Sequence, residues 1–152
     1  MRRRTALMVV LATALATLCP SVASASAAAS AEARAIASLN KIRASHGLAP
    51  LRASRSLARS ANAYAHYMLK NDFFGHQARI RVASRFRTAG ETLAWHSGYR
   101  PGARSTVRQW MASPPHRAVL LSSGFRMVGM GMERGRMGSR PTTMWVAHVG
   151  RH

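Results

Sequence analysis

Histidine is the residue type in this sequence that offers the most chemistry. The chain has seven histidines but only four acidic residues and a single cysteine. Two imidazoles and one carboxylate can form an open zinc site with a position left for water or a ligand. His76, Glu91 and His116 offer such a set, at separations of 15 and 25 residues. The chain has no His-Glu-x-x-His motif, so the spacing alone does not show that these side chains converge.

Other polar candidates have simpler structural interpretations. His46 and His66 fall at a helix end and on the polar face of a helix, so we expect both to be exposed to solvent. His148 lies in the predicted last strand, where it points either towards a cleft or into the sheet. Ser113 is better placed to cap a helix than to act as a nucleophile, because no adjacent acid in the sequence completes a triad.

Two helices are indicated in the first half of the chain. Apolar residues recur at three-residue steps between positions 36 and 42 and stop before Gly47, which predicts a first helix with a glycine stop. The second helix has the clearest apolar stripe in the sequence. Its members are Leu57, Ala61, Tyr64, Ala65 and Met68. From there to Arg87 we expect an Arg-rich loop with at most one helical turn.

The second half adds shorter helices and then strands. A third helix around Trp110 ends at two prolines, which are tolerated in the first turn of a new helix that carries His116. Alternating runs at 125–133 and 142–149 predict a hairpin, with another strand at 92–95. Tryptophans and strand methionines fit core packing. They are Trp95, Trp110, Trp145, Met127, Met130 and Met132. This order predicts an α+β domain with helices covering a small sheet.

The N-terminus has the order of a secretory signal peptide. Three arginines at positions 2–4 precede an apolar stretch over 6–18 and small residues at 23–25. We therefore expect a leader at 1–25, a short disordered tether at 26–30 and one domain at 31–152. The apolar stretch is shorter than the roughly 20 residues that span a bilayer, so no transmembrane anchor is expected after cleavage. Cys19 lies in the leader, which leaves the mature domain without disulfides.

Positive charge is the strongest compositional feature. The net charge of +19 becomes about +16 once the three leader arginines are subtracted. Such a charge favours a polyanionic partner, which outside the cell means wall polymers or phospholipid headgroups rather than a specific nucleic acid. The alternative is a compositional bias of a GC-rich genome, because Arg outnumbers Lys by 21 to 2.

Eight short segments carry a family resemblance in their order along the chain. They are Leu39-Asn40 with Arg43, 47–51, 57–68, His76, 90–94, 110–117, 128–131 and 145–150. Together they resemble the bacterial branch of the CAP superfamily, the cysteine-rich secretory, antigen 5 and pathogenesis-related proteins with an SCP domain. The resemblance implies a three-layer α-β-α sandwich, in which helices flank a small antiparallel sheet.

The resemblance also implies a cleft lined by two histidines and two acidic residues. Motif matching places His76, Glu91 and His116 on three of these positions, and these three are the implied zinc ligands. Ser113 stands where plant and animal members carry the second acid. Thr92 and Val119 replace two asparagines that are usual in the family, and both changes remove an amide expected to support the cleft.

Three functions follow as hypotheses. The first is a secreted or wall-associated, non-enzymatic domain that binds an envelope polymer, a glycan or a lipid in the cleft or on its outer face. The alternative is a metal-dependent hydrolase in which Glu91 acts as zinc ligand or general base. The third is binding of anionic polymers by charge alone, which would show steep salt dependence and no effect of cleft substitutions.

Overall fold

The computed structural model describes residues 21–99 and 102–152. This part of the chain forms eight elements in an α+β order, as the sequence predicts. They are α1 (Ser21–Ser45), β1 (Arg52–Ala53), α2 (Arg55–Lys70), β2 (Thr88–Ser97), α3 (Ala103–Ala112), α4 (Pro114–Leu120), β3 (Met127–Met137) and β4 (Arg140–Arg151). The Arg-rich stretch between α2 and β2 is a loop with no helical turn.

Helix α1 is longer than the sequence analysis expects. It begins at Ser21 and therefore includes residues 26–30, which we predicted as a disordered tether. The high helix propensity of alanine explains a helical backbone in this Ala-rich stretch. Residues 1–20, most of the predicted leader, lie outside the described residues, and cleavage of the leader stays a prediction. The helix ends before Gly47, whose φ of 68° suits the predicted glycine stop.

The sheet has four strands in the order β1-β3-β4-β2. Strands β2, β4 and β3 pair antiparallel, which confirms the predicted hairpin and the third strand. The short strand β1 was not predicted and pairs parallel with β3, so the sheet is mixed at one edge rather than wholly antiparallel. Two residues are too few to show an alternating pattern in the sequence.

The sheet is covered on both faces, which confirms the three-layer sandwich. One face carries the larger apolar cluster, which joins Ala35 and Leu39 of α1 to the fully buried Trp110 of α3 and Trp145 of β4. The opposite face packs against α2 through a smaller cluster that includes Met68 and Val146. The predicted stripe of α2 faces this cluster, and Met68 has no exposed surface. His46 and His66 are exposed, as expected.

Two glycines let α2 lie close against β3. A Cβ atom on Gly129 would fall 2.0 Å from the backbone nitrogen of Ala58, and one on Gly131 would fall 2.4 Å from that of Asn62. These distances are far inside van der Waals contact, so only glycine permits this approach of helix and sheet. The close packing fixes the position of α2 above the strands.

Arg43 of α1 fixes the end of the short helix α4. Its guanidinium is buried and donates to the carbonyl oxygens of Leu120, at 2.6 Å, and Ser122, at 3.1 Å. Its Nε donates to the carbonyl oxygen of Ala49 at 3.0 Å. The bonds to Leu120 and Ser122 satisfy carbonyl groups at and just after the C-terminus of α4, and the bond to Ala49 ties them to the loop after α1. The residue thereby helps to position the helix that carries His116.

Candidate functional site

Glu91 and His148 form the buried centre of the site, on the face of the sheet covered by α2. Glu91 in β2 and His148 in β4 are direct neighbours across the two strands. Their side chains are 2% and 0% exposed, and His148 Nε2 lies 3.0 Å from Glu91 Oε2. An ionised carboxylate only accepts hydrogen bonds, so the Nε2 atom of His148 carries the proton of this bond.

Ser60 connects this pair to helix α2. Its hydroxyl oxygen lies 2.8 Å from His148 Nδ1, and in the neutral Nε2-protonated ring that nitrogen accepts from the hydroxyl. The same hydroxyl oxygen lies 2.9 Å from the carbonyl oxygen of Leu57. Its single proton therefore serves one of the two acceptors at a time.

The carboxylate of Glu91 is saturated with donors. Oε1 lies 2.9 Å from His76 Nδ1 and accepts from the backbone N–H of Gln77 at 3.2 Å. Oε2 accepts from the side-chain amide of Gln77 at 2.8 Å and from His148 at 3.0 Å. Two donors on each oxygen fill the roughly four acceptor positions of a carboxylate. Glu91 thus holds three side chains in place with no lone pair left for a further ligand.

These contacts also set the charge of Glu91. Burial raises the pKa of its carboxyl, but the hydrogen bonds from His148, Gln77 and His76 together lower this pKa by more than burial raises it. The resulting pKa lies below the ordinary value of 4.5, so Glu91 is ionised at neutral pH.

His76 and His116 form the accessible part of the site. The His76 side chain is 55% exposed, and its Nδ1–H donates to Glu91, so Nε2 is the acceptor of the neutral ring. The ring of His116, in the first turn of α4, lies 6.1 Å from that of His76 between centroids. Burial and the nearby His76 lower the pKa of His116 below 6.5, which favours its neutral form. A helix dipole acts in the same direction, but burial is the main cause here.

Comparison with known proteins identifies the family of the chain. The model of the cysteine-rich secretory protein family, CAP, matches residues 36–149. The chain belongs to this family. Its sequence is 31% identical, over 104 residues, to the uncharacterized membrane protein YlbC of Bacillus subtilis, a match that covers 62% of this chain and 29% of that protein. The chain therefore spans about a third of the length of the curated relatives it matches.

Solved CAP structures show the same fold. An extracellular protein containing an SCP domain from Bacillus anthracis superimposes with a TM-score of 0.67 and 20% identity, over 82% of this chain and 41% of that one. An outer surface protein of Borrelia burgdorferi gives a TM-score of 0.62 and 20% identity, over 77% of this chain and 89% of that one. Within residues 21–99 and 102–152, no helix combines the length and hydropathy that a membrane span requires.

The structure brings together the three residues that the CAP resemblance selects. His76 contacts both Glu91 and His116, although the three lie on a loop, a strand and a short helix. Ser113 occupies the N-cap position of α4, three residues before His116, but its hydroxyl makes no capping hydrogen bond. The expectation of a side-chain cap at Ser113 is therefore wrong. Its backbone carbonyl instead accepts from Arg117 at 2.9 Å.

The two departures from the family pattern lie outside the hydrogen-bond network of Glu91. Thr92 is fully buried and shares the face of β2 with Ala94, a member of the large apolar cluster on the other side of the sheet. Val119 packs against that same cluster, and its Cγ1 would lie 2.9 Å from a Cβ on Gly90. Apolar packing replaces the side-chain amide at Val119, whereas the buried hydroxyl of Thr92 has no hydrogen-bond partner among the described residues. Gln77 supplies the amide that Glu91 uses.

Sequence reasoning missed Gln77 and Ser60 and left His148 undecided. Gln77 follows His76 directly and offers a backbone and a side-chain donor to the same carboxylate. Ser60 lies on the α2 turn between Leu57 and Ala61, so the stripe of that helix already placed it near the sheet. For His148, alternation with Met144 and Val146 indicated the α2 face, but only the strand register shows that Glu91 lies opposite.

The residues of the site do not fit a zinc centre with three protein ligands. Both oxygens of Glu91 accept from protein donors, so Glu91 orients the ring of His76 through Nδ1 and has no lone pair left to bind a metal. His76 and His116 leave two imidazoles for a metal. Among the described residues, no group of three or more His, Cys, Asp or Glu side chains is arranged to hold a metal ion.

Proposed function

We propose that this chain is a secreted, non-enzymatic binding domain that holds a ligand of the cell envelope at the surface formed by His76 and His116. The saturation of Glu91 carries the proposal. A carboxylate that accepts from four protein donors positions a histidine firmly, but it has no lone pair with which to take a proton from water. The carboxylate thus preorganises His76 for recognition of polar groups, and Glu91 itself is not available as the general base that the hydrolase hypothesis assigns to it.

Secretion is part of the proposal. It is supported by the leader-like composition of residues 1–25 and by membership of a family described as secretory. The chain has 23 basic and four acidic residues, and this net positive charge of +19 suits an anionic envelope. The metal-dependent hydrolase stays a hypothesis, because it requires either a third metal ligand, which the described residues do not present, or a base other than Glu91.

A binding screen on the mature protein tests the proposal. The wild type, a His76→Ala/His116→Ala variant and a His46→Ala/His66→Ala control are applied to immobilised envelope glycans and lipids, with elemental analysis in parallel. We expect a ligand that the wild type and the control retain and the site variant loses. The control removes two exposed histidines elsewhere, so it corrects for the loss of imidazole groups in general.

Two outcomes would overturn the proposal. Stoichiometric zinc together with hydrolytic turnover that the site variant loses would establish the hydrolase instead. Binding that falls steeply with salt and is equal in all three proteins would show attraction by charge alone.

A further inference from the structure

A groove of about 590 Å³ opens beside the site, and the hydrogen bonds of Glu91 account for only part of its lining, namely Ser60, His76 and Gln77. One wall carries the aromatic rings of Tyr64, Tyr67 and Phe73, and the loop after them contributes Arg79 and Arg81. Tyr67 and Phe73 are 51% and 44% exposed, which is unusual for large apolar rings on one surface. We call this surface the aromatic–arginine groove.

The aromatic wall is held in place by its own contacts. The hydroxyl of Tyr64 donates to the carbonyl oxygen of Gly75 at 2.5 Å, and its ring stacks on that of Tyr67 with centroids 5.9 Å apart and planes 11° apart. The ring of Phe73 lies over Gly75, where an added Cβ would be 2.7 Å from its Cζ. The rings are therefore exposed but fixed, so a ligand would lose little free energy in ordering them.

The arginine loop is connected to the buried centre of the site. The side-chain oxygen of Gln77 accepts from the backbone N–H of Arg81 at 3.2 Å, while the amide nitrogen of the same side chain donates to Glu91. One side chain thus links the loop that bears the two arginines to the carboxylate that orients His76. This link places cations, aromatic rings and His76 around a single opening.

The positive charge of the groove lacks an internal counterion. The chain has only four acidic residues. Glu91 is occupied by its histidines, Glu32 accepts from the backbone of Met132, and Asp72 accepts from that of Gly138. In the part of the chain that the structure describes, no carboxylate forms an ion pair with Arg79 or Arg81. Anionic groups of a ligand could form ion pairs and hydrogen bonds with these two guanidinium groups.

We propose that the aromatic–arginine groove binds an acidic oligosaccharide, with sugar rings against Tyr67 and Phe73 and sugar carboxylates on Arg79 and Arg81. The aliphatic part of the lining is small, since it consists of two alanines and the side-chain stems, and an acyl chain would instead need an enclosed aliphatic channel. Flat exposed rings match the apolar face of a sugar, and guanidinium groups match carboxylates in a bidentate geometry. This inference rests on the proposed envelope-binding function and names its ligand class.

Calorimetry with defined sugars tests the groove. Trigalacturonic acid is titrated into the wild type, a Tyr67→Ala/Phe73→Ala variant and an Arg79→Gln/Arg81→Gln variant. The matched control is Arg104→Gln/Arg108→Gln, which removes the same charge from exposed positions of α3. We expect each groove variant to weaken binding by about tenfold or more and the control by no more than about twofold. A neutral galactose trisaccharide should bind more weakly than the acid and depend on the two rings alone.

Three results would overturn the inference. They are no binding of trigalacturonic acid, an equal loss in the control, and binding of phosphatidylglycerol vesicles through the groove without binding of the sugar. The substituted rings are exposed, so unchanged melting temperatures should accompany the variants. If a ligand from the envelope screen depends on His76 and His116 while the groove variants retain it, the inference fails and the proposed function stands.

Discussion

The two faces of the sheet use the same strands for different purposes. Under α1 and α3, a large apolar cluster runs through Trp110 and Trp145. Under α2, the apolar side chains stop partway along the strands. On that face of β4, Met144 and Val146 are followed two residues later by His148, and all three are fully buried. The α2 face is therefore divided between a core at one end and a polar centre at the other.

This difference shows how a small domain without disulfides can contain a buried carboxylate. Burying Glu91 costs free energy, and that cost is offset only because every acceptor position has a donor. The donors come from β4 and from the loop after α2. Gly129 and Gly131 let α2 lie close to the sheet, and this position of the helix places the loop beside Glu91. The apolar end of the α2 face thus fixes the geometry on which the polar end depends.

The largest expected effect comes from placing a charge in the apolar end of the α2 face. Met68 is fully buried against the sheet, so Met68→Asp should lower the free energy of unfolding by about 3 kcal/mol or more. Arg59→Asp, at an exposed position of the same helix, should change it by about 0.5 kcal/mol at most. Urea unfolding measures both. Equal losses would mean that this end of the face is not core.

A smaller effect is expected at the polar end of the same face. Glu91→Gln keeps the shape of the side chain but replaces one acceptor oxygen by an NH2 group, which would face the donors of Gln77 and His148. This change should lower the free energy of unfolding by about 2–3 kcal/mol at pH 7. Because the folded pKa of Glu91 lies below 4.5, the stability it contributes is complete above that pH and is lost as the pH falls through the folded pKa. The difference between wild type and variant should therefore shrink on acidification.

Unfolding curves at pH 7 and at about pH 3 measure this change. Glu133→Gln serves as the control, since Glu133 is only partly buried on β3 and no hydrogen bond ties it to the site. We expect a small effect of the control at both pH values. A difference between Glu91→Gln and wild type that stays constant with pH would show that the charge of Glu91 is not what the network stabilises.

The sequence predicted what periodicity and local chemistry determine. The stripe of α2 faces the sheet as predicted, because burial on one side imposes a helical period on that element. The hairpin and the third strand are present where alternating residues predicted strands. The two-residue strand β1 and its parallel pairing carry no such signal. The helical backbone over residues 26–30 was missed because an Ala/Ser composition is compatible with a helix as well as with a tether.

The site was predictable only in part, for a related reason. Motif matching selected His76, Glu91 and His116, whose side chains lie side by side in the structure, but it treated Glu91 as an available ligand. Its saturation depends on Gln77 from the loop and on His148 from the opposite strand, and neither contact follows from spacing in the chain. Register between β2 and β4 is a tertiary property, so the sequence left His148 with two interpretations.

The smallest effect on stability is expected for Ser113→Glu, a substitution that tests whether the site lacks only a third zinc ligand. Ser113 lies three residues before His116, so both project from the same side of α4's first turn, and plant and animal CAP proteins carry an acid at this position. Ser113→Glu should supply the third ligand that Glu91 does not provide. We expect the zinc affinity at about pH 7.5 to rise by about tenfold or more, with unfolding changed by less than about 0.5 kcal/mol.

Isothermal titration with zinc checks this expectation, with Ser113→Gln as a control of equal size and no charge. The gain should disappear when His116→Ala is combined with Ser113→Glu, and it should diminish below about pH 6.5, because imidazoles bind zinc only in their neutral form. Affinity of Ser113→Glu no higher than that of wild type would show that the two imidazoles are not oriented towards a common metal position.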